Sequence, residues 1–292
     1  MLALVRASFL CAACLWLAPP AVSASAESLS LQQLSASVFR ITARVDSGRT
    51  QSGSGVLVAP HMVVTNCHTI WNAHSISVTG AAGAVPAHLV RTHAERDLCL
   101  LNAPRLTGIP VALGSTAGKQ AGDLIIAIGY PAGATVTIST GHIEGLFTYQ
   151  GPGRVIQGSA YFSPGKSGGG LFDQHGSLIG ILTFKCNAGG PYHFAVPAEW
   201  VDNLLHEGHD KNPVAKPASA PAGKPFWQHT DARQPLFLRA ASLSAEGNCK
   251  ALNELAADWM AREPDNADAA FVAQRAQHCN ILALIQRPLL EK

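Results

Sequence analysis

Charged residues are sparse in this sequence. Asp, Glu, Lys and Arg make up 14% of its 292 residues and leave a formal charge of +2. No basic stretch with interleaved aromatics occurs, so neither nucleic acid nor an acidic membrane surface is expected as a main partner. Phosphate-cradling and dinucleotide-binding glycine motifs are missing. The 12 histidines are scattered, no H-E-x-x-H occurs, and His206-Glu207-Gly208-His209 is wrongly spaced for a zinc helix. No metal and no other cofactor is therefore expected. A disordered tail is excluded in turn, because hydrophobic residues reach 47%.

Long apolar runs are also lacking. The longest, Ala7–Ala18, follows Arg6 and leads through Pro19-Pro20 to Ala24-Ser25-Ala26. Those are the n-region, h-region and A-x-A site of a secretory signal over residues 1–26, and the run is too short for a stable membrane span. The expected location is periplasmic or secreted, where thiols oxidise. Cys11 and Cys14 would leave with the signal, and Cys67, Cys99, Cys186, Cys249 and Cys279 would remain. That number is odd, so at least one is unpaired or pairs between molecules.

Between residues 37 and 197 no amphipathic helix of useful length is found. Short apolar runs recur instead: Val38–Val45, Ser54–Ala59, Met62–Thr65, Ile76–Thr79, Leu98–Leu101, Leu124–Ile128, Thr135–Ile143, Leu178–Phe184 and His193–Val196. They are rich in Val, Ile, Leu and Thr and bounded by turn residues, which predicts an all-β barrel or sandwich. A helix is expected over Ala198–Glu207, between Pro197 and Gly208. The β-rich domain is thus bounded at 27–208. Residues 209–231, rich in Lys, Pro and Ala, read as a linker. Residues 232–292 read as a helical hairpin, with Leu252, Leu255 and Trp259 on one helix and Ala270, Ala273 and Ile281 on the other. Glu263-Pro264-Asp265-Asn266 breaks the two apart. Cys249 and Cys279 flank that turn at similar distances, which puts them at similar heights on antiparallel helices and predicts a disulfide. Two buried free thiols are the alternative. One hairpin is too small for a repeat groove, so it either packs on the β domain or docks a protein partner.

Three segments carry chemistry. Ser167 stands in Gly165-Lys166-Ser167-Gly168-Gly169-Gly170, where glycines uncover the hydroxyl and can aim the amides of Gly165 and Ser167 at one point. His68 follows the apolar strand ending in Thr65-Asn66-Cys67, and Asp97 precedes Leu98-Cys99-Leu100-Leu101. A serine needs a base to take its proton, and a histidine needs an anion to hold its tautomer. The order His, Asp, Ser meets both needs on one β-rich domain.

These segments, with Gly53-Ser54-Gly55-Val56-Leu57 and Phe194-Ala195-Val196-Pro197, resemble the trypsin-like serine proteases, above all the bacterial HtrA/Deg branch. The resemblance runs from about Ser37 to Leu205. It implies an all-β double six-stranded barrel of chymotrypsin-like fold, here followed by the small helical hairpin. It implies His68 as general base, Asp97 as its orienting partner, Ser167 as nucleophile, and Gly165 with Ser167 as oxyanion hole. Polypeptides would be the substrates, hydrolysed through an acyl-enzyme by an endopeptidase exported from a bacterial cell. A substrate pocket walled by Tyr161–Pro164, Leu182–Lys185 and Tyr192–Phe194 is implied too, with Tyr161, Thr183 and His193 as its candidate residues and no aspartate at its floor. His193 there would favour an acidic residue; packed at a strand edge it would not. If His68 and Asp97 share a hydrogen bond, Cys67 and Cys99 lie close enough for a disulfide.

The sequence departs from the pattern at Lys166, where HtrA-like enzymes usually carry asparagine and activated digestive proteases aspartate. No Ile-Val N-terminus for an activation ion pair is apparent, and no PDZ domain is expected after Leu205. Two other readings compete. G-x-S-x-G also marks a nucleophile elbow, but that motif needs a helix after the serine, and a strand follows here. A catalytically inactive, protease-like binding protein remains the functional alternative, with Lys166 in its favour.

Overall fold

The computed structural model describes residues 31–45, 48–185, 192–206, 223–230 and 232–290, with side chains through Cys279. The expected signal segment, Cys186 and most of the expected linker lie outside the described residues. A short helix α1 (Leu31–Ser35) leads into twelve strands.

Strands β1 (Val38–Val45), β2 (Thr50–Ala59), β3 (Met62–Asn66), β4 (Ala73–Gly80), β5 (Gly83–His93) and β6 (Leu98–Asn102) close one antiparallel barrel, in the order β1-β2-β3-β6-β5-β4. The second barrel comprises β7 (Leu124–Gly129), β8 (Thr137–Thr148), β9 (Arg154–Gly158), β10 (Gly170–Asp173), β11 (Leu178–Lys185) and β12 (His193–Pro197), in the order β10-β11-β12-β9-β8-β7. Strand period explains why two barrels form. On β3 and β6, Val63, Cys99 and Leu101 fill the first barrel, while the alternate Val64, Leu98 and Leu100 join a cluster shared with Ile126, Ile128, Phe172 and Ile181 of the second. Strands buried on both faces read as unbroken apolar runs, which is how those segments stand in the sequence.

Strands β5, β9 and β10 are additions to the segments read as strands. β5 is largely exposed and carries Pro86, and β10 begins inside the glycine run, so neither shows apolar enrichment. Helix α2 (Ala198–His206) packs Trp200, Val201 and Leu204 into the shared core.

Beyond it lie α3 (Leu236–Ala245), α4 (Cys249–Arg262) and α5 (Ala267–Leu290). The hairpin reading is thus extended by a third helix, α3, whose Phe237, Leu238, Ala240 and Ala241 are buried. Cys249 and Cys279 are joined by a disulfide, with Cα atoms 5.5 Å apart. Asn266 caps α5 by accepting the amides of Asp268 (2.8 Å) and Ala269 (3.1 Å). Helices α3 and α5 rest on the second barrel: Phe237 stacks on Phe147 at 4.8 Å, Asp268 Oδ2 accepts from the Thr148 amide at 2.7 Å, and the Arg275 guanidinium covers the Tyr192 ring at 4.4 Å. Among the described residues no helix is long and apolar enough to cross a membrane.

A second difference concerns the linker. Its last part, residues 223–230, packs against the barrels: Phe226 is fully buried and its amide donates to Glu95 O at 2.9 Å. Pro225, Phe226 and His229 are buried in a segment with no periodic pattern, so only the tertiary contacts single it out.

Candidate active site

His68 lies on a 3-10 turn (Cys67–Ile70) at the exit of β3, and Asp97 immediately before β6. Because β3 and β6 are paired with Asn66 opposite Leu98, the two residues emerge side by side at the same barrel end. Asp97 is 1% exposed. Its Oδ1 accepts from the His68 amide at 2.9 Å and its Oδ2 faces His68 Nδ1 at 2.5 Å. Both bonds hold the imidazole with Nδ1 toward the carboxylate and Nε2 away from it. Asp97 takes up a positive φ of 58°, a region aspartate tolerates better than most residues. The same register brings Cys67 and Cys99 together: a disulfide joins them, Cα to Cα 5.0 Å, and ties the histidine turn to the aspartate strand.

Asn66 braces the pair from behind. Its Nδ2 donates to Asp97 O (3.0 Å) and to Thr183 Oγ1 (3.2 Å), linking the first barrel to β11 of the second.

Ser167 belongs to the second barrel, in the loop before β10. Ser163-Pro164-Gly165-Lys166 forms a tight turn closed by the Lys166 amide on Ser163 O at 3.1 Å, with Gly165 at φ 94°. Proline at the second position and a left-handed glycine at the third are the type II pattern. The Ala132 amide donates to Pro164 O at 2.9 Å. In a trans peptide the C=O and N–H point opposite ways, so that bond turns the Gly165 N–H away from Ala132. Any Cβ at Gly165 would collide with the Ala132 backbone. Gly168, at φ 85°, is equally obligatory, since a Cβ would strike Ser54 O and Thr65 Oγ1.

Ser54 of β2 stitches this loop to the first barrel. Its amide donates to Ser167 O at 2.8 Å, and its Oγ donates to Gly165 O and accepts from the Tyr130 amide, both at 2.9 Å.

His68, Ser167 and Thr183 line one hollow of about 190 Å³, together with Phe162, Ser163, Pro164, Phe184, Lys185 and Trp227. The Ser167 hydroxyl donates to Thr183 O at 3.4 Å, so His68 Nε2 receives no hydrogen bond from it in this conformation.

Tyr161 and His193 stand apart from that hollow. Tyr161 is 62% exposed, and the His193 ring packs behind Phe162, centroids 4.7 Å apart, with its Nδ1 buried and unpartnered. Burial first, then Lys185 and Lys166, hold the His193 pKa below its ordinary value. Of the expected pocket walls, Phe162, Ser163, Pro164, Thr183, Phe184 and Lys185 line this hollow, whereas Tyr161 and His193 do not. Lys166 turns inward and is 3% exposed, its ammonium 3.5 Å from Ser139 Oγ, and burial lowers its pKa.

Residue Trp227 was not foreseen. Its Nε1–H donates to Asp97 Oδ2 at 3.2 Å, its ring meets His68 edge-on at 5.6 Å, and it stacks on Phe184 at 5.1 Å. The one signal for it in the sequence is the aromatic pair Phe226-Trp227 closing a stretch rich in Pro, Ala and Lys.

Residues 53–181, which span all of these strand ends, match the family model of the trypsin-like peptidase domain. Those residues are thus similar to a trypsin-like peptidase domain. The chain is also similar to proteins named as HtrA and Do-like proteases. Serine protease HTRA1 of Xenopus tropicalis is 28% identical over 236 residues, covering 76% of this chain and 46% of that protein. Protease Do-like 1, chloroplastic, of Arabidopsis thaliana is 34% identical over 181 residues, 56% of this chain and 41% of that one. The chain spans about half the length of the curated relatives it matches. Among solved structures, the HtrA-type protease AlgW with tripeptide superposes at a TM-score of 0.55 and 29% identity, over 60% of this chain and 61% of that one. The Rv3671c protease from M. tuberculosis, active form, shares the fold at a TM-score of 0.59 and 21% identity, over 74% of this chain and 100% of that one.

Proposed function

We propose that this protein is a serine endopeptidase, exported from a bacterial cell, that hydrolyses peptide bonds through His68, Asp97 and Ser167. The observation that carries the reading is the His68–Asp97 pair, anchored through two hydrogen bonds and facing the same hollow as Ser167. Ser167 Oγ attacks the scissile carbonyl after a side-chain rotation away from Thr183 O. His68 Nε2 takes its proton, and Asp97 stabilises the imidazolium so formed. The N–H groups of Gly165 and Ser167 receive the developing oxyanion, the first of them aimed by the Ala132–Pro164 bond. His68 then returns the proton to the leaving amine, and water repeats the cycle on the acyl-enzyme.

Phe162, Pro164, Phe184 and Trp227 give the hollow of about 190 Å³ an apolar lining, which suits a small or medium apolar side chain. Polypeptides in extended, unfolded form are the substrates this cleft would admit. Export is supported by the apolar segment after Arg6 and by the two cysteine pairs brought within bonding distance.

Hydrolysis of unfolded casein by the protein and by Ser167→Ala, with fluorophosphonate labelling in parallel, tests the assignment. Both signals are expected in the parent and neither in the variant, whose turnover should drop by about a million-fold. Absence of both from the folded parent would leave a polypeptide-binding domain without turnover. The Ser167–Thr183 hydrogen bond is the observation on that side.

A further inference from the structure

The described residues following α2 re-enter the cleft. Phe226 is the anchor: it stacks on Tyr149 at 4.5 Å and meets Trp200 and Phe184 edge-on at 6.0 and 5.8 Å. Its amide is held by Glu95 O, two residues before Asp97. Glu95 is itself fixed, its Oε1 accepting from Tyr149 Oη at 2.8 Å and its Oε2 lying 3.7 Å from His229 Nε2. So the segment is bound on both sides of Trp227, to a loop of the first barrel and to the core of the second. A side chain carried on such an anchor has little freedom.

Trp227 spends that rigidity on the Asp97–His68 pair. Asp97 is buried, and a carboxylate there needs several donors to keep one orientation. It has three: the His68 amide, His68 Nδ1 and the Trp227 indole N–H. The third comes from outside the family-matched residues 53–181. The same indole, stacked on Phe184 and edge-on to His68, is also a wall of the hollow beside Ser167.

We propose that Trp227 is a positioning residue that holds the Asp97 carboxylate against His68 and, with Phe184, shapes the substrate hollow, so that the segment after α2 completes the active site. The inference rests on the endopeptidase reading for its catalytic consequence, but the indole–carboxylate bond itself is testable without turnover.

Two measurements on the full chain decide it. In ¹⁵N–¹H spectra the Trp227 indole peak is identified by its loss in Trp227→Phe. It is expected to move upfield in Asp97→Asn, where the charged acceptor has become neutral. In peptide hydrolysis, Trp227→Phe keeps a ring against Phe184 but removes the donor, and kcat should fall about three- to tenfold with KM nearly unchanged. Trp227→Ala should lower kcat similarly and also raise KM for apolar substrates, since the wall is gone. An indole peak indifferent to Asp97→Asn, or a Trp227→Phe enzyme with parental kcat, overturns the proposal. A parent that cleaves nothing defeats the endopeptidase reading instead, and the indole spectrum alone then decides the role of Trp227.

Discussion

Lys166 is a buried cation beside Ser167. It sits between Gly165 and Ser167 and faces inward, and among the described residues its ammonium finds the Ser139 hydroxyl at 3.5 Å. Burying a cation without a counter-charge destabilises the fold, and the lowered pKa expresses the same cost. The sign follows from proton linkage. Below the folded-state value both states are charged and the full penalty applies. Between that value and the ordinary 10.5 the unfolded chain binds more protons, so stability rises with pH. Lys166→Met, similar in length and uncharged, should therefore raise the melting temperature at neutral pH by about 2–4 °C, and the gain should shrink as pH approaches 10. Calorimetric scans of both proteins across that range check the trend; a gain that grows with pH would contradict it.

At the scale of elements, the segment 223–230 shows how a short stretch without regular structure becomes part of a site. Its one 3-10 turn (Phe226–Gln228) has no side-chain cap, and what holds it is the aromatic nest around Phe226. Phe226→Ala leaves a cavity among Tyr149, Phe184 and Trp200, and large-to-small changes of this kind cost about 3–5 kcal/mol. The melting temperature should fall, and kcat should fall with it, because Trp227 loses its anchor. A variant that is destabilised but keeps parental kcat would show that the anchor serves the core alone. In the C-terminal unit the hairpin was legible because helical period and the turn at Glu263–Asn266 are local signals. Helix α3 was not. It starts after Pro235 with no side-chain cap, and its ten residues bury an apolar face against the rest.

Over the whole molecule, function depends on how one barrel meets the other. Ser54 of β2 is the stitch: fully buried, it hydrogen-bonds Ser167 O, Gly165 O and the Tyr130 amide. Ser54→Ala keeps the backbone contact but removes the side-chain acceptor of the half-buried Tyr130 amide, at a cost of about 1 kcal/mol. It also frees the Gly165–Lys166 peptide, which adjoins the one carrying the Gly165 N–H, so kcat should drop by about tenfold with KM little changed. Steady-state kinetics and a denaturant curve together test this, and an unaltered kcat would mean that the Ala132–Pro164 bond suffices to aim the amide.

Much of the architecture was already present in the order of residues. Apolar runs of strand length announced an all-β domain, and β1 occupies Val38–Val45, the very segment read as its first strand. His68 and Asp97 were readable because each stands at the end of an apolar strand, where local pattern and chemistry coincide. What pattern cannot convey is which distant segments touch. Ser54, Asn66 and Trp227 serve the site through hydrogen bonds to partners 111, 117 and 130 positions away. The packing of His193 against Phe162, away from the hollow, likewise depends on contacts between distant segments. The sequence by itself determined the strands, the α4–α5 hairpin and the residue types able to do acyl transfer, because periodicity, turn chemistry and side-chain chemistry are local. Only the tertiary structure decided the lining of the hollow, the aim of the Gly165 amide and the return of Trp227, because those depend on contacts that chain closure brings together.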